Sequence, residues 1–169
     1  MATDNTFSTQ EDLQDTFVFT LKDKYAVDIH EKPTHAIMDL GCTRSMSSVV
    51  AMKAFCKEAR KGGVTWKIEP CSVNMQFAGG ASAHLKEQIL LKFPTKPEVV
   101  TSVCLNPDSE VPMLLSLPQM MDLRFNLQLL PGKALLSSDV LNIKNYEVDH
   151  DARSGHLVFD LLELPRIKH

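Results

Sequence analysis

Apolar and polar positions alternate in short blocks along most of this chain, and proline, glycine and asparagine punctuate the blocks, which is the pattern of a sheet protein. Phe17-Val18-Phe19-Thr20-Leu21 and Tyr25-Ala26-Val27 are β-prone, and a Pro33 turn leads into a strand over 36–39. One segment breaks the pattern. Val49, Met52, Cys56 and Ala59 recur at helical spacing, Ser47 or Ser48 can cap the start and Gly62-Gly63 can stop the end, so a helix is expected over 47–61. Strands return over 64–68 and 73–77, with Gly79-Gly80 as a hairpin tip and a return strand over 85–93. Two further apolar runs, 99–105 and 111–115, flank the turn Asn106-Pro107-Asp108. Ser116-Leu117-Pro118-Gln119 has the form of a capping box, which predicts a short helix through Arg124. A hairpin over 125–130 and 134–136, turning at Pro131-Gly132-Lys133, and a last strand over 156–164 complete the expected elements.

Composition narrows the class. With 169 residues, 44% hydrophobic and 23% charged, the chain suits one domain, placed at 16–165 after a polar lead-in (1–15) expected to be disordered, with a tail at 166–169. A net charge of −3 with scattered basic residues gives no reason to expect nucleic acid. No apolar run approaches the roughly 18 residues of a spanning helix, and the start Met1-Ala2-Thr3-Asp4-Asn5 has neither a basic signal head nor a second-position glycine, so no membrane attachment is expected. Cys42, Cys56, Cys71 and Cys104 are widely spaced, which favours free thiols in a reducing, cytoplasmic setting over a secreted disulfide scaffold.

The chemistry concentrates at Asp39-Leu40-Gly41-Cys42-Thr43, where a carboxylate leaves the apolar run Ala36-Ile37-Met38 and meets a glycine and small polar residues. From the pentapeptide alone, a strand-end aspartate capping a turn is the simpler reading. A carboxylate here activates water only when a second one shares its proton, and the chain holds no second Asp-x-Gly, so the partner has to come from another copy. Competing chemistries are weaker. Cys42 has no evident histidine base and reads as an inert thiol; His30 and His35 are five apart with Pro33 between them, which breaks the helix a zinc-protease motif needs. No metal and no cofactor is implied. Met113, Met120 and Met121 are core filler, and His150 and His156 flank a charged turn and face water.

Taken in series, the Asp39-Leu40-Gly41-Cys42-Thr43 turn, Phe77-Ala78-Gly79-Gly80 and Val111-Pro112-Met113-Leu114-Leu115-Ser116 resemble the retropepsin-like aspartic protease domain of copia-type retrotransposon polyproteins, over roughly residues 34–136. The resemblance implies a mainly β fold, a barrel-like half with one helix after the catalytic turn and a short helix near 117–124. It implies a homodimer cutting peptide bonds of its own polyprotein. Asp39 resembles the catalytic aspartate, Gly41 the glycine whose backbone lies near substrate, and Thr43 a turn hydroxyl able to bond local backbone. Phe77, Gly79 and Gly80 resemble the flap, although the two glycines suit an ordinary hairpin turn equally well. Leu114, Leu115 and Ser116 match the strand behind the turn. Leu40 departs from the family pattern, where a threonine or serine hydroxyl links the two catalytic turns. Two expectations follow: an aspartic endopeptidase, or a dimerisation or peptide-binding module of the same shape in which Leu40 has impaired catalysis.

Overall fold

The computed structural model describes residues 28–76, 80–150 and 155–166. The strands expected over 17–21 and 25–27, like the lead-in, lie outside the described residues. What is described is mainly β: β1 (His35–Asp39), β2 (Met46–Ser48), α1 (Val49–Ala59), β3 (Thr65–Gln76), β4 (Ser82–Phe93), β5 (Val99–Asn106), β6 (Met113–Ser116), α2 (Leu117–Asp122), β7 (Asn126–Leu130), β8 (Lys133–Ser138), β9 (Ile143–His150), β10 (Leu157–Asp160) and α3 (Glu163–Arg166). The strands join in one ten-stranded open sheet, ordered β3-β4-β5-β2-β6-β1-β10-β9-β8-β7, so β3 and β7 are its edges.

Side-chain alternation sorts the central strands onto two faces. Ala36 and Met38 of β1, Met113 and Leu115 of β6, Val103 and Leu105 of β5 and Phe159 of β10 join the main core. Their alternates Ile37, Leu114, Cys104 and Val158 form a second, smaller cluster. Helix α1 covers the main core with Met52, Phe55, Cys56 and Ala59, spaced three and four apart. It starts at Ser48, whose hydroxyl accepts from the Ala51 N–H at 3.1 Å, and its last turn runs through a 3-10 turn to Gly63, where φ is +86°.

Four expectations change. The two strands expected over 64–68 and 73–77 are one strand, because Pro70 pairs with Glu87 and Val73 with Leu85, three steps against two, which is a bulge rather than a break. Proline is tolerated there because β3 is an edge. Ser47 and Ser48, expected at the helix start, belong with Met46 to a short strand held between β5 and β6. Strand β9 lacks a clear alternating pattern and goes unpredicted; pairing with β8 and β10 supplies its hydrogen bonds. The expected strand over 156–164 ends at Asp160, whose carboxylate accepts from the Leu162 N–H at 3.0 Å and turns the chain into α3, a helix beyond the two expected.

That C-terminal stretch is integral. Strand β10 lies between β1 and β9, and Phe159, fully buried, meets Phe125 at 6.0 Å and Tyr146 at 5.7 Å, both edge to face. Phe159→Ala is therefore expected to cost about 3–5 kcal/mol in urea denaturation. Leu129→Ala, at a side chain 72% exposed, should shift the midpoint little.

Candidate active site

Parallel pairing of β1 with β6 sets the site. Ile37 lies opposite Leu114, Met38 opposite Leu115 and Asp39 opposite Ser116, so the two strands end at the same level. Asp39 follows Ile37 by two residues and so faces the smaller cluster. It is partly exposed, and its Oδ1 accepts the Gly41 N–H at 3.0 Å while its carbonyl accepts the Cys42 N–H at 3.2 Å. The chain then locks onto α2, since the Leu117 N–H donates to the Cys42 carbonyl at 3.1 Å.

Gly41 is exposed, and a Cβ there would meet only the Asp39 carboxylate at 3.5 Å, an ordinary contact. Nothing in the turn itself demands glycine. What the missing side chain leaves is bare backbone beside the carboxylate. Leu40, next to it, is 59% exposed.

Thr43 is exposed, and its hydroxyl makes no hydrogen bond among the described residues, so the expectation that it bonds local backbone is corrected. Ser45 is the hydroxyl that braces the turn. Buried, it donates its hydroxyl to Ser116 Oγ at 3.2 Å and accepts the Ser116 N–H at 3.0 Å, while its carbonyl takes the Cys104 N–H at 2.9 Å. Ser116 in turn caps α2 by accepting from Gln119 N–H at 3.3 Å. Only this half of the expected capping box forms, because Ser45 already holds the Ser116 N–H that Gln119 would take. Ser45 carries no motif of its own; its one clue in the sequence is a small hydroxyl just beyond the turn.

Leu114 and Leu115 lie behind the turn on opposite faces, Leu114 in the smaller cluster and Leu115 in the main core. The hairpin of β3 and β4 reaches the same cluster. Met75 and Leu85 are buried in it, with Val73, Ala83 and Cys42 packed against them, whereas Ile89, Leu91 and Phe93 farther along β4 belong to the main core. The bulge after Pro70 lets one hairpin serve both faces, so its distal half shares a cluster with the loop that follows Asp39. Gly80, at φ +87° and with open space around it, lies near the tip; Phe77 and Gly79 lie outside the described residues.

Cys42 is half-buried and donates its thiol to the Arg44 carbonyl. Burial pushes its pKa up, and the Asp39 carboxylate raises it further against the opposing effect of the Arg44 backbone bond. A thiol so disposed is a poor nucleophile. All four cysteines are free.

Two outcomes are expected. Ser45→Ala leaves the Ser116 N–H buried without its acceptor and should lower stability by about 1–3 kcal/mol in chemical denaturation, with Thr43→Ala near neutral as the control. Iodoacetamide at neutral pH should modify Cys42 more slowly than a free cysteine peptide, and its rate should climb only as alkali forms the thiolate; mass spectrometry of the labelled peptide reads both.

Compared with protein-family models, with curated protein sequences and with solved structures, the chain gives no match. Its function has to be argued from the Asp39 turn and what surrounds it.

Proposed function

We propose that the chain is one half of an aspartic endopeptidase, a retropepsin-like domain of the copia-type retrotransposon kind, that acts as a homodimer on peptide bonds of its own polyprotein. The observation that carries this reading is the Asp39 turn: an accessible carboxylate at a strand end, fixed by the Gly41 N–H, with bare backbone beside it and a long hairpin packed against the same cluster. The single Asp-x-Gly in the sequence makes each chain incomplete alone.

In a two-fold pair, two Asp39 carboxylates about 3 Å apart share one proton, since both cannot ionise at that spacing. The ionised one takes a proton from water as the water oxygen adds to the scissile carbonyl, and the protonated one gives its proton to the carbonyl oxygen. When the tetrahedral intermediate collapses, the C–N bond breaks, the amine leaves with a proton from the dyad, and the dyad regains one from the gem-diol. Substrate binds extended, its backbone against Gly41 and the hairpin, its side chains alternating into pockets.

The contact surface for the second copy is supported by the exposed apolar residues around the turn. Leu40 is 59% exposed, and Leu117 and Met121, one turn apart on α2, are 38% and 67% exposed. Leu117 follows Ser116 as Leu40 follows Asp39, so both leave the sheet at one level. A two-fold axis beside Asp39 sets like patches against each other, as an isologous interface requires.

Leu40 also favours the second reading, a dimerisation or peptide-binding module without catalysis, because it offers no hydroxyl to tie the two turns together. Purified chain with a verified dimer mass separates the two. The peptidase should cut an unstructured polypeptide at about pH 5, where a carboxylate dyad holds one proton, and a statine-type inhibitor should block it. Asp39→Asn should abolish cutting with the dimer mass unchanged, whereas Leu40→Asp should return the chain to monomer in sedimentation. A dimer that cuts nothing selects the binding module, and a chain that stays monomeric at every concentration rules out the peptidase and the dimerisation module.

A further inference from the structure

On the far side of the sheet from the Asp39 cluster, α1 and the β3 edge enclose a groove of about 420 Å³. Its floor is apolar, with Ile89 buried at the bottom and Trp66 and Ile68 along the β3 wall, 39% and 55% exposed. Its α1 wall carries Lys53, Lys57 and Arg60, and no carboxylate lines it among the described residues. None of these three cations makes an ion pair among the described residues, although Lys61 beside them is paired with Glu58. An apolar trough with an unneutralised cationic rim, lying along an open sheet edge, suits a peptide that is both hydrophobic and acidic.

The chain contains such a peptide. Residues 4–21 hold Asp4, Glu11, Asp12 and Asp15 with no lysine or arginine, together with Phe7, Leu13, Phe17, Val18, Phe19 and Leu21. The chain also enters the fold at the right end. Thr34 accepts the Leu161 N–H at 3.0 Å, and Leu162 lies against Gly62, where a Cβ would be 3.6 Å from it, two residues from Arg60. Residues 22–27 lie between this segment and the described fold, a reach of up to about 20 Å for a fully extended chain.

We propose that this groove is the docking site for the chain's own acidic segment, residues 4–21. The segment sets its acids on Lys53, Lys57 and Arg60 and its apolar side chains over Trp66 and Ile68, and so covers the β3 edge. This inference is independent of the Asp39 chemistry.

Trp66 is the only tryptophan in the chain, so its fluorescence reports on the groove directly. In the full chain, acrylamide should quench Trp66 several-fold less than in a variant carrying Glu11→Lys, Asp12→Lys and Asp15→Lys. Adding Lys53→Glu, Lys57→Glu and Arg60→Glu to that variant should restore the protection, a rescue that a general loss of fold would not give. Equal quenching of the wild type and the first variant overturns the proposal. Protection that disappears on dilution overturns it too, because the segment would then come from a second copy.

Discussion

The parallel pairing of β1 with β6 is the constraint from which the rest of this molecule follows. Parallel neighbours run the same way, so β1 and β6 must be joined by a long crossover, and here it occupies everything between Asp39 and Met113. That crossover holds β2, α1, the long hairpin and β5, and most of it returns to the same sheet. Since the two strands finish together, the turn after Asp39 and the cap of α2 at Ser116 are neighbours. The Leu117 N–H to Cys42 carbonyl bond and the Ser45 to Ser116 pair then join them. A carboxylate on a free strand end would swing with its loop. This one is tied through buried hydroxyls to a capped helix.

The sheet's curvature supplies the second half of the arrangement. A flat hairpin extending β5 would stay on one face. One extra residue in β3 after Pro70 bends it, so that Ile89 and Leu91 seal the main core while Met75 and Leu85 close over the other face. The hairpin is thereby anchored by close packing against both clusters.

Much of this was legible before any coordinates. The helix stripe of Met52, Cys56 and Ala59, the Ser116 cap, and the strands around Asp39 and Leu114 are written in local periodicity and capping chemistry, which act over a few residues. What escaped depends on distant partners. Strand β2 is three residues long and exists because β5 and β6 flank it. Strand β9 is mostly polar outward and is held by β8. The Ser45 brace escaped for the same reason, since its partner is 71 residues away in sequence. At the Asp39 turn, the sequence points to Thr43 as the hydroxyl that bonds local backbone and gives no sign of Ser45, because an exposed and a buried hydroxyl look alike until the turn is folded.

Leu40 is where polarity and packing pull in different directions, and magnitudes say which property it endangers. A hydroxyl at that position would contribute about 1 kcal/mol net as a hydrogen bond across a pair. Full burial of a leucine side chain is worth about 1.5–3 kcal/mol, and the proposed two-fold pair would bury two of them, so even partial burial of a residue now 59% exposed would match or exceed the hydroxyl. In the proposed pair, association is therefore not what a leucine in place of a hydroxyl weakens. Apolar contact is non-directional, however, and a hydrogen bond fixes an angle. With Leu40 the orientation of each carboxylate rests on the Gly41 N–H within its own chain. If the proposed pair forms, a catalytic deficit in it is one of alignment between the two acids, expressed in turnover rather than in dimer affinity.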